Sequence, residues 1–269
     1  MPMDTGVAHA PFPETTRVVY QRNPLIEVIC QLRFPTILEI GSRDPAEFQE
    51  EVRHAYPLYR RDDTGGLPKE VADLLARLPI AKPIEGVTHN FLTEDSTRFI
   101  SLTREFVAVS EKHYQRWEGF REEIEHAKSA LEKCHNPAFY TRVGLRYQDL
   151  IDKSELGLGD ERWDSLINRD LIGALGAKDI QDHVQQIECV ALIELDDYVK
   201  GDFVRMRHGL VRPNGREAYL IDADFFTEER SDREHVFGVL DRFNRLAGNL
   251  FRWAITPKLD KVLGPSAID

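Results

Sequence analysis

The sequence predicts an α+β protein: a pseudo-symmetric duplication of a strand, helix, antiparallel strands, long helix unit, forming one antiparallel sheet with helices on one face. Three observations carry that prediction. Asn23-Pro24 is followed nine residues after the Asn by Leu32-Arg33-Phe34, and Asn136-Pro137 is followed at the same spacing by Leu145-Arg146-Tyr147. Each copy opens a β-rich stretch and closes on a long amphipathic helix with a Phe in its apolar stripe, Phe120 or Phe243. The offset grows from 113 between the Asn-Pro pairs to 123 between the Phe residues, which one insertion near Lys153 to Trp163 absorbs. Such self-similarity sets the architecture. It divides the chain into a flexible leader (1–16), a first half (17–133), a second half (134–256) and a C-terminal tail (257–269).

In the first half, Leu25 to Phe34 reads as a strand with Ile26, Val28, Cys30, Leu32 and Phe34 on one face and Glu27, Gln31 and Arg33 on the other. Asp44-Pro45-Ala46-Glu47 supplies an N-cap acceptor, Pro at the first helical position and Glu at the third, predicting a helix to His54. Gly65-Gly66 reads as a turn before a short helix over Lys69 to Leu78. Strands over Val87 to Thr93 and Arg98 to Val109, joined by Glu94-Asp95-Ser96-Thr97, make a hairpin. Tyr114, Trp117, Phe120, Ile124, Ala127 and Leu131 then recur at steps of three and four, the stripe of a helix lying on a sheet.

The second half repeats this order. Phe139, Thr141, Val143, Leu145 and Tyr147 share one strand face, and Arg142, Gly144, Arg146 and Gln148 the other. A helix over Leu166 to Leu175 stops at Gly176. Strands follow over Ile187 to Leu195, Phe203 to Val211 and Ala218 to Phe226, the last two joined by a turn at Pro213 to Gly215. Ser231 and Glu234 are spaced as a capping box for a last helix that ends at Thr256-Pro257. Its stripe of Phe237, Leu240, Phe243, Leu250 and Trp253 is core. Val236, Val239, Phe251 and Ala254 widen the apolar surface, predicting a side turned toward a partner subunit.

The segments Asn23-Pro24-Leu25-x-Glu27-Val28, Leu32-Arg33-Phe34-Pro35, Tyr114-x-x-Trp117-x-x-Phe120 and Val143-Gly144-Leu145-Arg146-Tyr147 resemble a sporadically distributed, uncharacterised family of prokaryotic proteins of similar length. The likeness covers nearly the whole chain. It implies no activity and no catalytic residue. The patchy distribution of such a family implies lateral transfer, and with it a role in genome defence or on mobile elements.

Composition narrows the function classes. A content of 42% hydrophobic and 30% charged residues fits an ordinary globular chain. No run of roughly 18 apolar residues occurs, and Met1 to Thr16 has neither a basic start nor an apolar stretch, so neither a membrane span nor a secretion signal is expected. Cys30, Cys134 and Cys189 are far apart and form no Cys-x-x-Cys pair, which fits reduced thiols in a cytoplasm. A net charge of −11 opposes a broad grip on nucleic acid, while leaving room for a local basic patch.

The candidate ligand-binding residues are Arg33, Arg146, Arg142, Arg205 and Arg207. Arg33 and Arg146 are repeat-mates on the face opposite the apolar one; Arg142 shares the face of Arg146, and Arg205 and Arg207 share one on a nearby strand. Guanidinium groups suit carboxylates and phosphates, so this face is a candidate anion clamp. The preferred competing reading is scaffolding, with these arginines paired to acids such as Glu27, Glu188, Asp222 and Asp224. Asp222-Ala223-Asp224 aligns two carboxylates but lacks a third acid at a fixed spacing, so no metal is expected. Arg121 and His126 have an Arg-x4-His spacing that resembles that of helical ribonucleases.

Other chemistries lack their residues. No Asp or Glu stands two positions before a Lys, and the phosphate-loop, Gly-x-Ser-x-Gly and His-Glu-x-x-His patterns are absent. Cys30 and Cys189 fall in strand runs, where buried, inert thiols are expected. The expectation is a non-catalytic cytoplasmic binding or assembly protein without a cofactor or membrane contact, its partner a protein or a second copy. The first alternative binds nucleic acid or another anionic ligand through the arginine face, similar only in general plan to saddle-shaped duplicated binders. The second is a nuclease.

Overall fold

A computed structural model describes residues 11–62, 86–195 and 201–268. In chain order its elements are β1 (Val18–Tyr20), β2 (Leu25–Arg33), α1 (Leu38–Ser42), α2 (Ala46–Val52), β3 (Leu58–Asp62), β4 (Thr88–Leu92), β5 (Arg98–Leu102), β6 (Phe106–Glu111) and α3 (Trp117–His135). Then come β7 (Arg142–Asp152), α4 (Arg169–Ile172), β8 (Cys189–Glu194), β9 (Asp202–Val211), β10 (Ala218–Thr227), α5 (Val236–Ala254), α6 (Pro257–Leu263) and β11 (Pro265–Ala267). Nine strands form a large antiparallel sheet in the order β3-β4-β5-β6-β2-β7-β10-β9-β8, and β1 pairs separately with β11. The chain divides into two compact units, Glu27–Gly144 with Glu229–Phe237, and Met1–Ile26 with Leu145–Glu228 and Gly238–Asp269. These are not the predicted halves 17–133 and 134–256. Among the described residues no helix is long and apolar enough to cross a membrane.

In the unit containing Glu27–Gly144, β2 buries the predicted Val28, Cys30 and Leu32 but Glu27 and Ile29 of the other face as well, and Ile26, expected on the apolar face, is exposed. Val28 lies across from Glu111, and Glu111 from Arg98, whose guanidinium pairs with Glu123 of α3. That row therefore faces the helix, and Val28, Cys30 and Leu32 are buried along it. The α3 stripe of Trp117, Phe120, Ile124, Ala127 and Leu131 is buried too, each large side chain contributing about 1.5–3 kcal/mol. Asn136 takes the left-handed conformation (φ 45°, ψ 56°) after His135, which with Pro137 stops the helix. In contrast, Asn23 accepts from the Leu25 N–H at the start of β2. The two Asn-Pro pairs thus do different local work.

Several expected boundaries move because side chains find other partners. Asp44 does not cap α2; its carboxylate lies 2.7 Å from Arg61. Arg98 to Val109 is two strands, since Thr103 Oγ1 accepts from the N–H groups of Glu105 and Phe106 and turns the chain. Ser231 forms no capping box: its backbone bridges to Tyr140 and its hydroxyl donates to the Glu229 carbonyl. Helix α1 and strand β3 have no counterpart in the sequence reading, and Gly65-Gly66 and Lys69 to Leu78 lie outside the described residues.

In the other unit, β9 and β10 pair in full register from Ala218↔Val211 to Thr227↔Asp202. Helix α5 covers one face: the Phe243 and Phe225 rings are 6.1 Å apart, and the Tyr147 hydroxyl donates to Asn244. Leu166 to Leu175 is a broken run rather than one helix, because Asn168 caps the four-residue α4 and Gly173 at φ 51° interrupts it. Val236, Phe251 and Ala254 are buried within the chain, Phe251 edge-on to Tyr20, so they are not a face turned to a partner. Within the C-terminal tail, residues 257–268 form regular structure. Thr256 caps α6, Pro257 occupies its first turn, and β11 pairs with β1. Of the expected flexible leader, residues 1–10 lie outside the described residues, and Phe12 is buried against Trp253.

Candidate binding face

Strand alternation brings Arg146 and Gln148 of β7, Asp222 and Asp224 of β10, and Arg205 and Arg207 of β9 to the face opposite α5. Arg146 grips Asp222 with two prongs, Nε to Oδ1 at 2.7 Å and Nη2 to Oδ2 at 2.6 Å, with the two residues only 4% and 3% exposed. Gln148 adds a third donor to Asp222 at 3.3 Å. In the ladder Asp222 stands opposite Arg207 and Asp224 opposite Arg205. Arg207 also lies 2.5 Å from Glu188, an ionic contact in which the N–H is not aligned for a hydrogen bond. The Arg205 guanidinium sits 5.7 Å from the Phe226 ring, which stacks on Phe203. Among these side chains three cations meet three anions, leaving no excess of positive charge.

Arg33 and Arg142 lie in the other unit and are held differently. Arg33 is the last residue of β2, its side chain 47% exposed and 3.9 Å from Glu105, a contact contributing under about 1 kcal/mol. Arg146, expected from the sequence to be its repeat-mate, is instead internal to β7 and buried. Arg142 donates to Gln31 Oε1 at 3.0 Å and folds over Gly144, where an added Cβ would run into the guanidinium. Glu27, expected to pair with an arginine, accepts from Ser110 at 2.5 Å.

Arg121 and His126 do not converge. The Arg121 guanidinium lies 4.2 Å over Phe237, and His126 Nε2 is 3.0 Å from the Glu51 carbonyl at the end of α2. Cys30 is buried, and burial pushes its thiol far up. Cys189, expected to be buried, is exposed because β8 is an edge strand. Among the described residues no group of three or more His, Cys, Asp or Glu could hold a metal ion.

One titratable group escaped the sequence reading. Asp149 is buried, and its carboxyl is pushed up to about 8, first by burial and then by the Asp222 charge. The signal was present in its odd position, which puts it on the apolar face with Val143, Leu145 and Tyr147. Compared with protein-family models and with curated proteins the chain matches none, so the functional reading rests on this geometry.

Proposed function

We propose that the chain is a non-catalytic cytoplasmic protein that works by binding another protein or by assembling with copies of itself, and that its arginine face is scaffold. The observation that carries this reading is the buried two-pronged Arg146–Asp222 pair inside a charge-balanced network. An anion clamp needs guanidinium groups open to a ligand, whereas Arg146 already spends its fork on Asp222. Three free cysteines accord with a reducing compartment. A place in genome defence or on a mobile element belongs to the same proposal and rests on the motif resemblance alone.

The duplication is part of the proposal as well. Its support is the strand order: β2 is followed outward by β6, β5 and β4, and β7 by β10, β9 and β8.

The test is the Arg33→Ala/Arg146→Ala double variant. Leaving Asp222 buried without its guanidinium, with Gln148 still donating to it, should destabilise the protein by about 3 kcal/mol, read as a lower melting temperature. Neither the wild type nor the variant should bind an oligonucleotide. Unchanged melting together with lost, salt-sensitive oligonucleotide binding would make the arginine face a ligand site after all.

A further inference from the structure

Strand β8 pairs with β9 and ends the sheet. Just outside its two ends, the N–H groups of Ile187 and Leu195 donate to Leu210 and Asp202 on the β9 side. Odd positions between them therefore face β9, and the even ones, Val190 and Leu192, turn their N–H and C=O groups to the outer edge. The side chains of Val190 and Leu192 are 53% and 57% exposed. Natural sheets blunt such edges with Lys, Pro or a bulge; Cys189–Glu194 contains no Lys or Pro and pairs in unbroken register. An edge that offers both main-chain groups and apolar side chains is what strand addition uses.

Charge selects the occupant. Glu188 and Glu194 flank the exposed pair, and the residues between them include no Lys or Arg. Two copies paired antiparallel about Ala191 would set Glu188 of one opposite Glu194 of the other, and like charges directly opposed are unfavourable. An extended segment with Lys or Arg flanking alternating apolar residues meets the same edge with complementary charge. We propose that the outer edge of β8 receives such a cationic segment of a partner protein as an added strand. This rests on the protein-binding reading and names the surface and the chemistry of the partner.

The probe is a labelled synthetic peptide alternating Lys with Val, titrated into the full chain and followed by fluorescence anisotropy. Two matched peptides accompany it, one N-methylated at alternate residues and one with Glu replacing Lys. The protein is compared with a Val190→Ser/Leu192→Ser variant, which removes the two exposed apolar side chains without setting a new cation opposite Arg207 or Arg205 and should leave the melting temperature alone. The Lys peptide should bind the wild type, and its affinity should fall at least about tenfold on N-methylation, on replacement of Lys by Glu, and in the variant. Because the whole chain is acidic, the N-methylated peptide separates strand addition from general attraction. No binding, equal binding of the N-methylated peptide, or unchanged affinity in the variant overturns the proposal. Light scattering that finds a wild-type dimer and a variant monomer also overturns it, by making the occupant a second copy. A failed peptide test without oligonucleotide binding leaves the protein-binding reading to another surface, whereas oligonucleotide binding lost in Arg33→Ala/Arg146→Ala ends that reading itself.

Discussion

Asp149 ties one residue to the stability of its unit. Its carboxyl titrates near 3.8 when unfolded and is pushed up to about 8 in the fold by burial, with the Asp222 charge adding to it. Between those values the unfolded chain gives up a proton that the folded chain keeps, so stability falls as pH rises from about 4 to about 8. The loss is on the order of a few kcal/mol, at roughly 1.4 kcal/mol for each pH unit. Asp149→Asn removes the ionisable group. It should match the wild type near pH 4 and exceed it near pH 8 in urea denaturation, and equal pH slopes for the two proteins would show that Asp149 is not the group responsible. Gly144 shows another single-residue dependence: without a Cβ it leaves room for Arg142 to reach Gln31.

At the scale of elements, α3 and α5 are organised by their stripes. Phe120 and Phe243 are fully buried, and truncating either to Ala should cost about 3–5 kcal/mol. A loss below about 1 kcal/mol by chemical denaturation would mean that the helix packs through other residues. These stripes, and the alternation of β7, β9 and β10, are legible because a face packed under a helix selects apolar residues at a period of 3.6 or 2, even where the opposite face is buried as well. Caps were less legible. Asp44 and Ser231 have the right residue type and spacing, yet each is used by a tertiary neighbour that no local pattern reveals. The exposed β3 lacks a buried face, and so it leaves no alternation to read. The candidate site divides in the same way: alternation placed Arg146, Arg205 and Arg207 on one face, but the choice of Asp222 as the partner of Arg146 depends on how β7 and β10 are aligned. Cys189 was misread because edge position is a property of the sheet.

For the whole molecule, the bounds of the two compact units differ from those of the proposed repeat. One unit joins the described residues before Glu27 to Leu145–Glu228 and Gly238–Asp269: β1 pairs with β11, the Tyr20 hydroxyl donates to Asp260 at 2.8 Å, and Thr15 donates to Asn249. The other unit also draws on residues either side of position 133, through Thr141 N–H to the Arg33 carbonyl at 2.8 Å, Arg142 to Gln31, and Arg121 over Phe237. Separating the chain between Lys133 and Cys134 would therefore leave both units incomplete, and it would also remove the left-handed Asn136 stop from α3. Fragments 1–133 and 134–269, expressed alone, should each lack a cooperative thermal transition by circular dichroism, because each loses sheet partners and exposes part of a core on which marginal stability depends. Mixed during refolding, they should recover one. A cooperative transition in either fragment alone would mean that the repeat boundary is also a folding boundary, and that the ties between distant segments are secondary to the packing inside each half.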